Sequence, residues 1–156
     1  EFPDKRVFVL DCDEHGGNGT QEFVPRLPNL FNFSIHGSPF GMFTSERNLR
    51  RTLEPVTLDF GPYRRALREA FAEMERWRTA LLLYQAGADP HIDDPFGTLG
   101  MTTDQMLERD RMVFEFCRRK SLPVLFVLAG GYQEPIAQKL LPLHLNTFRA
   151  AQNAYA

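Results

Sequence analysis

Asp11, Asp13 and His15 occupy alternate positions in LDCDEHGGNGTQE, residues 10–22. Carboxylate and imidazole side chains are ligands for divalent ions. On an extended chain, residues two apart face the same way, yet the outer pair stands ~13 Å apart at ~3.3 Å per residue. An ion holding its ligands at about 2 Å can therefore take two neighbours from this run and needs a third from elsewhere. GADPHIDDPFG, residues 87–97, offers Asp89, His91, Asp93 and Asp94. Two carboxylates and one imidazole leave a coordination position open for water, which is how a catalytic rather than a structural zinc site is built.

The same letters partly fit a calcium loop. Asp11, Asp13, Gly16 and Glu22 fall at positions 1, 3, 6 and 12 of an EF-hand. His15 replaces the oxygen ligand at position 5, and the incoming segment reads as a strand where an EF-hand needs an amphipathic helix, so calcium is disfavoured.

The elements that must position these residues are legible in the hydrophobic pattern. Val7–Asp11, Leu30–Ile35, Ala80–Tyr84 and Val124–Leu128 are short branched or aromatic runs that predict buried strands. Between them, Ala66, Leu67, Ala70, Phe71, Met74 and Trp77 keep the spacing of one helix face from Tyr63 onward. Thr102 and Gln105 form a capping box ahead of Met106, Asp110, Val113 and Cys117, predicting a helix to Lys120. The tail from Glu134 to Tyr155 is helical by pattern, with Pro142 expected to kink or divide it. Residues 37–60 show no sustained period and predict a long surface connection. Alternating strands and helices imply an α/β fold with a mainly parallel sheet, whose ligands gather at the carboxyl ends of the strands. The polar motifs sit at those ends: Asp11 to His15, Ser34 to Gly37, Gly87 to Pro95 and Gly130 to Tyr132.

The whole chain narrows the partners. Its 156 residues make one domain. A formal net charge of -2 removes the broad positive field of nucleic-acid binding, and the cluster Arg47, Arg50 and Arg51 reads as a solvated face. No apolar run approaches the ~20 residues of a membrane span. Cys12 and Cys117 are too few for a disulfide framework and imply buried, reduced thiols in a cytoplasmic protein.

DCDEHGGNGT, GADPHIDDPFG and PVLFVLAGGY, in this order and separation, resemble the histone deacetylase and acetylpolyamine amidohydrolase family over nearly the whole chain. The resemblance implies the C-terminal, metal-bearing half of a three-layer α/β/α arginase/deacetylase-like domain lacking its N-terminal portion, with residues 1–156 forming a single partial domain. It further implies zinc held by Asp13, His15 and Asp94, with Asp93 as the adjacent rival to Asp94. A monovalent cation, K+ or Na+, would take Asp11, Ser34 and backbone carbonyls of Asp13, His15 and Ile35. Tyr132 would donate a hydrogen bond to the oxyanion formed when water attacks an amide carbonyl, and Gly130 and Gly131 would let the backbone pass close to the substrate. His36 and His144 are expected to be structural, and His91 to lie behind the ligands or in solvent.

Two features depart from the family pattern. Gly16 stands where a second His is common, and no His-His pair of the kind that serves as general base occurs in the chain. The expected function is zinc-dependent hydrolysis of an acetylated amine, on lysine, a polyamine or a small metabolite. The alternatives are an inactive half-domain used for assembly or binding, and an arginase-like hydrolase with two manganese ions. A missing N-terminal segment would leave an exposed sheet edge and favour self-association or pairing with that segment.

Overall fold

The structure, a computed structural model, describes residues 4–41 and 43–156. In chain order the elements are β1 (Val7–Asp11), the short helix α1 (Asn18–Gln21), β2 (Leu30–His36), β3 (Asn48–Thr52), α2 (Gly61–Trp77), β4 (Leu81–Gly87), α3 (Thr103–Lys120), β5 (Val124–Ala129) and α4 (Leu140–Tyr155). All strand pairs are parallel, and the sheet runs β3-β2-β1-β4-β5. The chain builds outward from β1 to β3 and then returns to the other side of β1 with β4. Strand order therefore reverses between β1 and β4, where α/β sheets open a crevice beyond the strand ends.

Side-chain alternation divides the sheet into two unlike faces. Phe8, Leu10, Phe31, Phe33, Leu82 and Tyr84 point to the face covered by the long helices, where they meet Leu67 and Met74 of α2, Val113 and Phe114 of α3 and Leu143 of α4. Each fully buried side chain of this size contributes about 1.5–3 kcal/mol. Ring stacking of Phe8 on Phe31 and of Phe71 on Phe116 fills the layer. Cys12 and Cys117 are buried and free within it. The opposite face carries a smaller cluster, Val9, Val24 and Leu30, beneath α1 and the segment after it.

α3 begins as its capping box predicts, with Thr102 and Gln105 each bonded to the other's backbone. Three expectations need correction. Residues 37–60 are not only a connection, because Asn48–Thr52 forms the edge strand β3 on β2. Its polar letters hide a strand held by one buried amide: Asn32 donates to Asn48, and Asn48 donates to Gln21 Oε1 and to the Phe43 carbonyl. The Arg cluster is not a solvated run. Arg47 donates to the carbonyls of Leu27 and Leu30, and Arg51 pairs with Glu69 while lying over the Phe33 ring. Finally, Pro142 neither kinks nor divides α4. The helix starts at Leu140, so Pro142 falls in its first turn, where backbone N–H groups have no intrahelical partner to lose. Among the described residues no helix is long and apolar enough to cross a membrane.

Candidate metal centre

At the reversal of strand order, the ends of β1 and β4 deliver Asp13, His15 and Asp89 to one point, with one ligand atom of each within 4.8 Å of the others. His15 Nδ1 stands 3.1 Å from Asp89 Oδ2 and 3.4 Å from Asp13 Oδ1. Ligands ~2.0–2.1 Å from a tetrahedral ion lie roughly 3.3–3.5 Å apart, so the observed spacing fits a single small divalent ion. The electrostatics agree. Burial, then the neighbouring Asp13 carboxylate, pushes Asp89 up to about 7. Two carboxylates confined together resist joint ionisation, and a cation between them removes the conflict.

Asp94, expected as the third ligand, lies outside this group. Its Oδ1 accepts from the Phe96 N–H at 3.0 Å and its Oδ2 from the Tyr132 N–H at 2.7 Å. The physical reason is the length of β4, which runs to Gly87 rather than Tyr84. Asp89 is then two residues beyond its strand, as Asp13 is beyond β1, whereas the turn at Pro90 to Asp93 carries Asp94 away. Asp93 is exposed. His91 is buried, its Nε2 against Thr103 Oγ1 and its Nδ1 accepting from the Asp93 N–H, so it closes the loop onto α3.

Asp11 and Ser34 are direct neighbours across the β1–β2 register. Asp11 Oδ1 accepts the Asp13 N–H, while its buried Oδ2 has no hydrogen-bond partner. Burial, followed by the carboxylates of Asp13 and Asp89, pushes Asp11 up to about 7. An orphaned, buried carboxylate oxygen fits a cation ligand. Ile35 turns its side chain into the helix-covered core, leaving its carbonyl as the group it can offer. Ser34 Oγ lies 2.9 Å from His36 Nδ1, and His36 Nε2 lies 3.0 Å from Thr52 Oγ1, which ties the histidine into the sheet as a structural group.

Tyr132 follows β5, with 51% of its surface exposed and its ring set edge-on to Phe96. Partial burial and the carboxylates of Asp89, Asp13 and Asp94 raise its hydroxyl above the ordinary tyrosine value. It therefore stays protonated and able to donate. Gly130 and Gly131 hold φ of 37° and 130°. A Cβ at Gly130 would collide with the Asp89 carboxylate and one at Gly131 with Leu140, so both glycines let this loop pass close.

Asp89 was one of four candidates that the sequence offered in its motif, and only the end of β4 sets it apart; one residue, Glu14, escaped the sequence reading. Glu14, fully buried, reaches back from between Asp13 and His15 to accept from Thr98 Oγ1 at 2.6 Å and from the Leu99 N–H. Its alternation away from the ligands was the available signal.

Comparison with known proteins identifies the family and the fold. The sequence matches the histone deacetylase domain over residues 2–148. An uncharacterised protein of Picosynechococcus is 32% identical across 97% of this chain and 50% of its own length. Histone deacetylase 2 of Arabidopsis thaliana is 30% identical across 85% of this chain and 35% of itself. Acetylpolyamine amidohydrolase 2 of Pseudomonas aeruginosa is 29% identical across 81% and 40%. The crystal structure of an acetylpolyamine aminohydrolase from Burkholderia pseudomallei superposes with a TM-score of 0.71 at 23% identity, covering 96% of this chain and 44% of that one, and so shares its fold. The chain spans half or less of the length of these relatives, and it belongs to the histone deacetylase domain family.

Proposed function

We propose that this chain carries the metal-holding part of a zinc-dependent hydrolase that removes acyl groups from acetylated amines. The observation behind the reading is the convergence of Asp13, His15 and Asp89 at the mouth of the β1–β4 crevice, beside Tyr132. The names of the relatives support an acetylated amine, protein-bound or polyamine, as substrate. A single three-ligand group among the described residues favours one ion over the two-manganese arrangement.

Asp13, His15 and Asp89 would hold the zinc. When bound, zinc polarises an amide carbonyl and acidifies water. The chain's own residues supply the rest. Asp94 fixes the Tyr132 backbone, and the Tyr132 hydroxyl donates to the carbonyl oxygen as negative charge develops there. Phe96 shields one side of the Tyr132 ring. A second cation beside Asp11 and Ser34, K+ or Na+, would neutralise the orphaned carboxylate behind the ligands. No His-His pair is present to accept the proton: His15 sits in the ligand group, His36 and His91 are held in hydrogen bonds, and His144 stands on α4, which packs on the helix-covered face of the sheet. Unaided attack by water forfeits ~10²–10⁴ in rate, so this chain by itself is expected to bind zinc while turning over an acetyl-lysine or acetylpolyamine reporter slowly.

Metal analysis tests the assignment. One zinc per chain is expected, lost in Asp89→Ala and retained in Asp94→Ala. Loss in Asp94→Ala with retention in Asp89→Ala would refute the ligand set. In any form of the protein with turnover, Tyr132→Phe should lower kcat by about 10²–10³ with zinc still bound.

A further inference from the structure

Arg109 of α3 is fully buried, an unusual place for a guanidinium, and its contacts are directed at the two strand ends that carry the ligands. Its Nη1 donates to the Gly87 carbonyl at 2.8 Å and to the Cys12 carbonyl at 3.2 Å. Cys12 directly precedes Asp13, and Gly87 lies two residues before Asp89. Arg109 is itself aimed by Asp110, whose Oδ1 accepts from Nε at 2.8 Å and also from the Tyr84 hydroxyl. Asp110 Oδ2 accepts from Thr147 Oγ1 of α4 at 2.6 Å. A buried ion pair is a poor source of net stability, since apolar replacements of similar volume are often neutral or better. What this pair supplies is geometry.

The two strand ends are unusually close. A Cβ at Gly87 would lie 2.6 Å from the Asp13 Cα, so the backbones meet at a distance only glycine allows. The Glu14 N–H crosses the gap to Asp89 Oδ1 at 3.0 Å. We propose that Arg109 is the positioning residue of the metal centre, bridging the Cys12 and Gly87 carbonyls so that Asp13 and His15 on one loop and Asp89 on the other keep the spacing of a single ion. The inference rests on the ligand set proposed above. Arg109 touches neither ion nor substrate and acts through the two loops.

The test compares Arg109→Met, Arg109→Lys and Asp110→Asn with the parent in the full chain. Three quantities are read: zinc affinity by competition with a chelator, the visible spectrum of the Co2+-loaded protein, and metal-free amide exchange. Arg109→Met should weaken zinc by about 10- to 100-fold, as loss of groups supporting metal ligands does, and shift the Co2+ bands. It should speed exchange at Glu14 well beyond any change at Val9 or Leu83, while Lys recovers much of the loss by donating to one carbonyl. Parent-like affinity and spectrum in folded Arg109→Met overturn the proposal, as does uniform acceleration across the sheet or a Lys variant no better than Met. Should Arg109→Met not fold, Asp110→Asn decides, with the same localised pattern expected and an unchanged one fatal. If the parent itself binds neither zinc nor Co2+, the proposed function falls, and the metal-free exchange at Glu14 alone still decides whether Arg109 clamps the two loops.

Discussion

Individual side chains show how nearby acids take different work. Asp89 and Asp94 share one loop, yet Asp89 meets Asp13 and His15 beyond β1 and Asp94 accepts two backbone N–H groups. Asp94→Asn keeps the volume and weakens the charge-assisted bond to Tyr132. It should leave zinc stoichiometry intact while reducing turnover in any active form of the protein, and parallel metal and rate measurements check this. His36 is a second case. Burial, then the Arg50 charge, lowers it from its ordinary value near 6.5 to about 4. The folded state therefore binds this proton less readily than the unfolded chain, and stability due to His36 is lost as pH falls from about 6.5 through about 4. Asp11 and Asp89, raised to about 7 without metal, act in the opposite sense, favouring the fold as they protonate. Both are common to the parent and His36→Gln, so their effect cancels in a comparison. Between about pH 7 and pH 4.5 the urea midpoint of the parent should fall more than that of His36→Gln; equal falls would remove His36 from the account.

Among the elements, β3 carries the clearest lesson. NLRRT has one apolar letter, Leu49, and one β-branched letter, Thr52, too few to read as a buried strand, and its place in the sheet depends on Asn48 joining Asn32, Gln21 and the Phe43 carbonyl. Asn48→Ala leaves the buried Gln21 and Asn32 amides short of partners, which costs about 1–3 kcal/mol for a stranded buried group. The expected outcome is a lower denaturation midpoint with amide exchange rising first across residues 48–52. A midpoint shift without that local signature would mean that β3 is held by something else. α4 and its Pro142 show the reverse, an alarming letter made harmless by a helix start only two residues before it.

At the scale of the molecule, the two faces of the sheet are covered unequally. α2, α3 and α4 all share a core with one face, while on the other Leu125 and Val127 of the edge strand β5 are 55% and 47% exposed and line a shallow groove with Val9 and Leu83. Apolar surface on an edge strand favours association between copies. Light scattering should show concentration-dependent self-association, reduced in Val127→Lys with little change in thermal stability. A parent that stays monomeric at all accessible concentrations would count against it.

Much of this architecture was written in local patterns. The four apolar strands, the two long helices and the capping box of α3 follow from burial periodicity and from bonds within one turn, which short windows of sequence contain. The order of the motifs likewise placed the polar residues at the strand ends. Folding in three dimensions decided the rest. Which aspartate of GADPHIDDPFG meets Asp13 and His15 depends on where β4 stops and how the following turn is directed, and those depend on pairing with β1, 74 positions away along the register. The Asn48 network, the uneven covering of the sheet and the reach of Arg109 to Cys12 and Gly87 likewise join residues far apart in the chain, and no short window of sequence holds both partners.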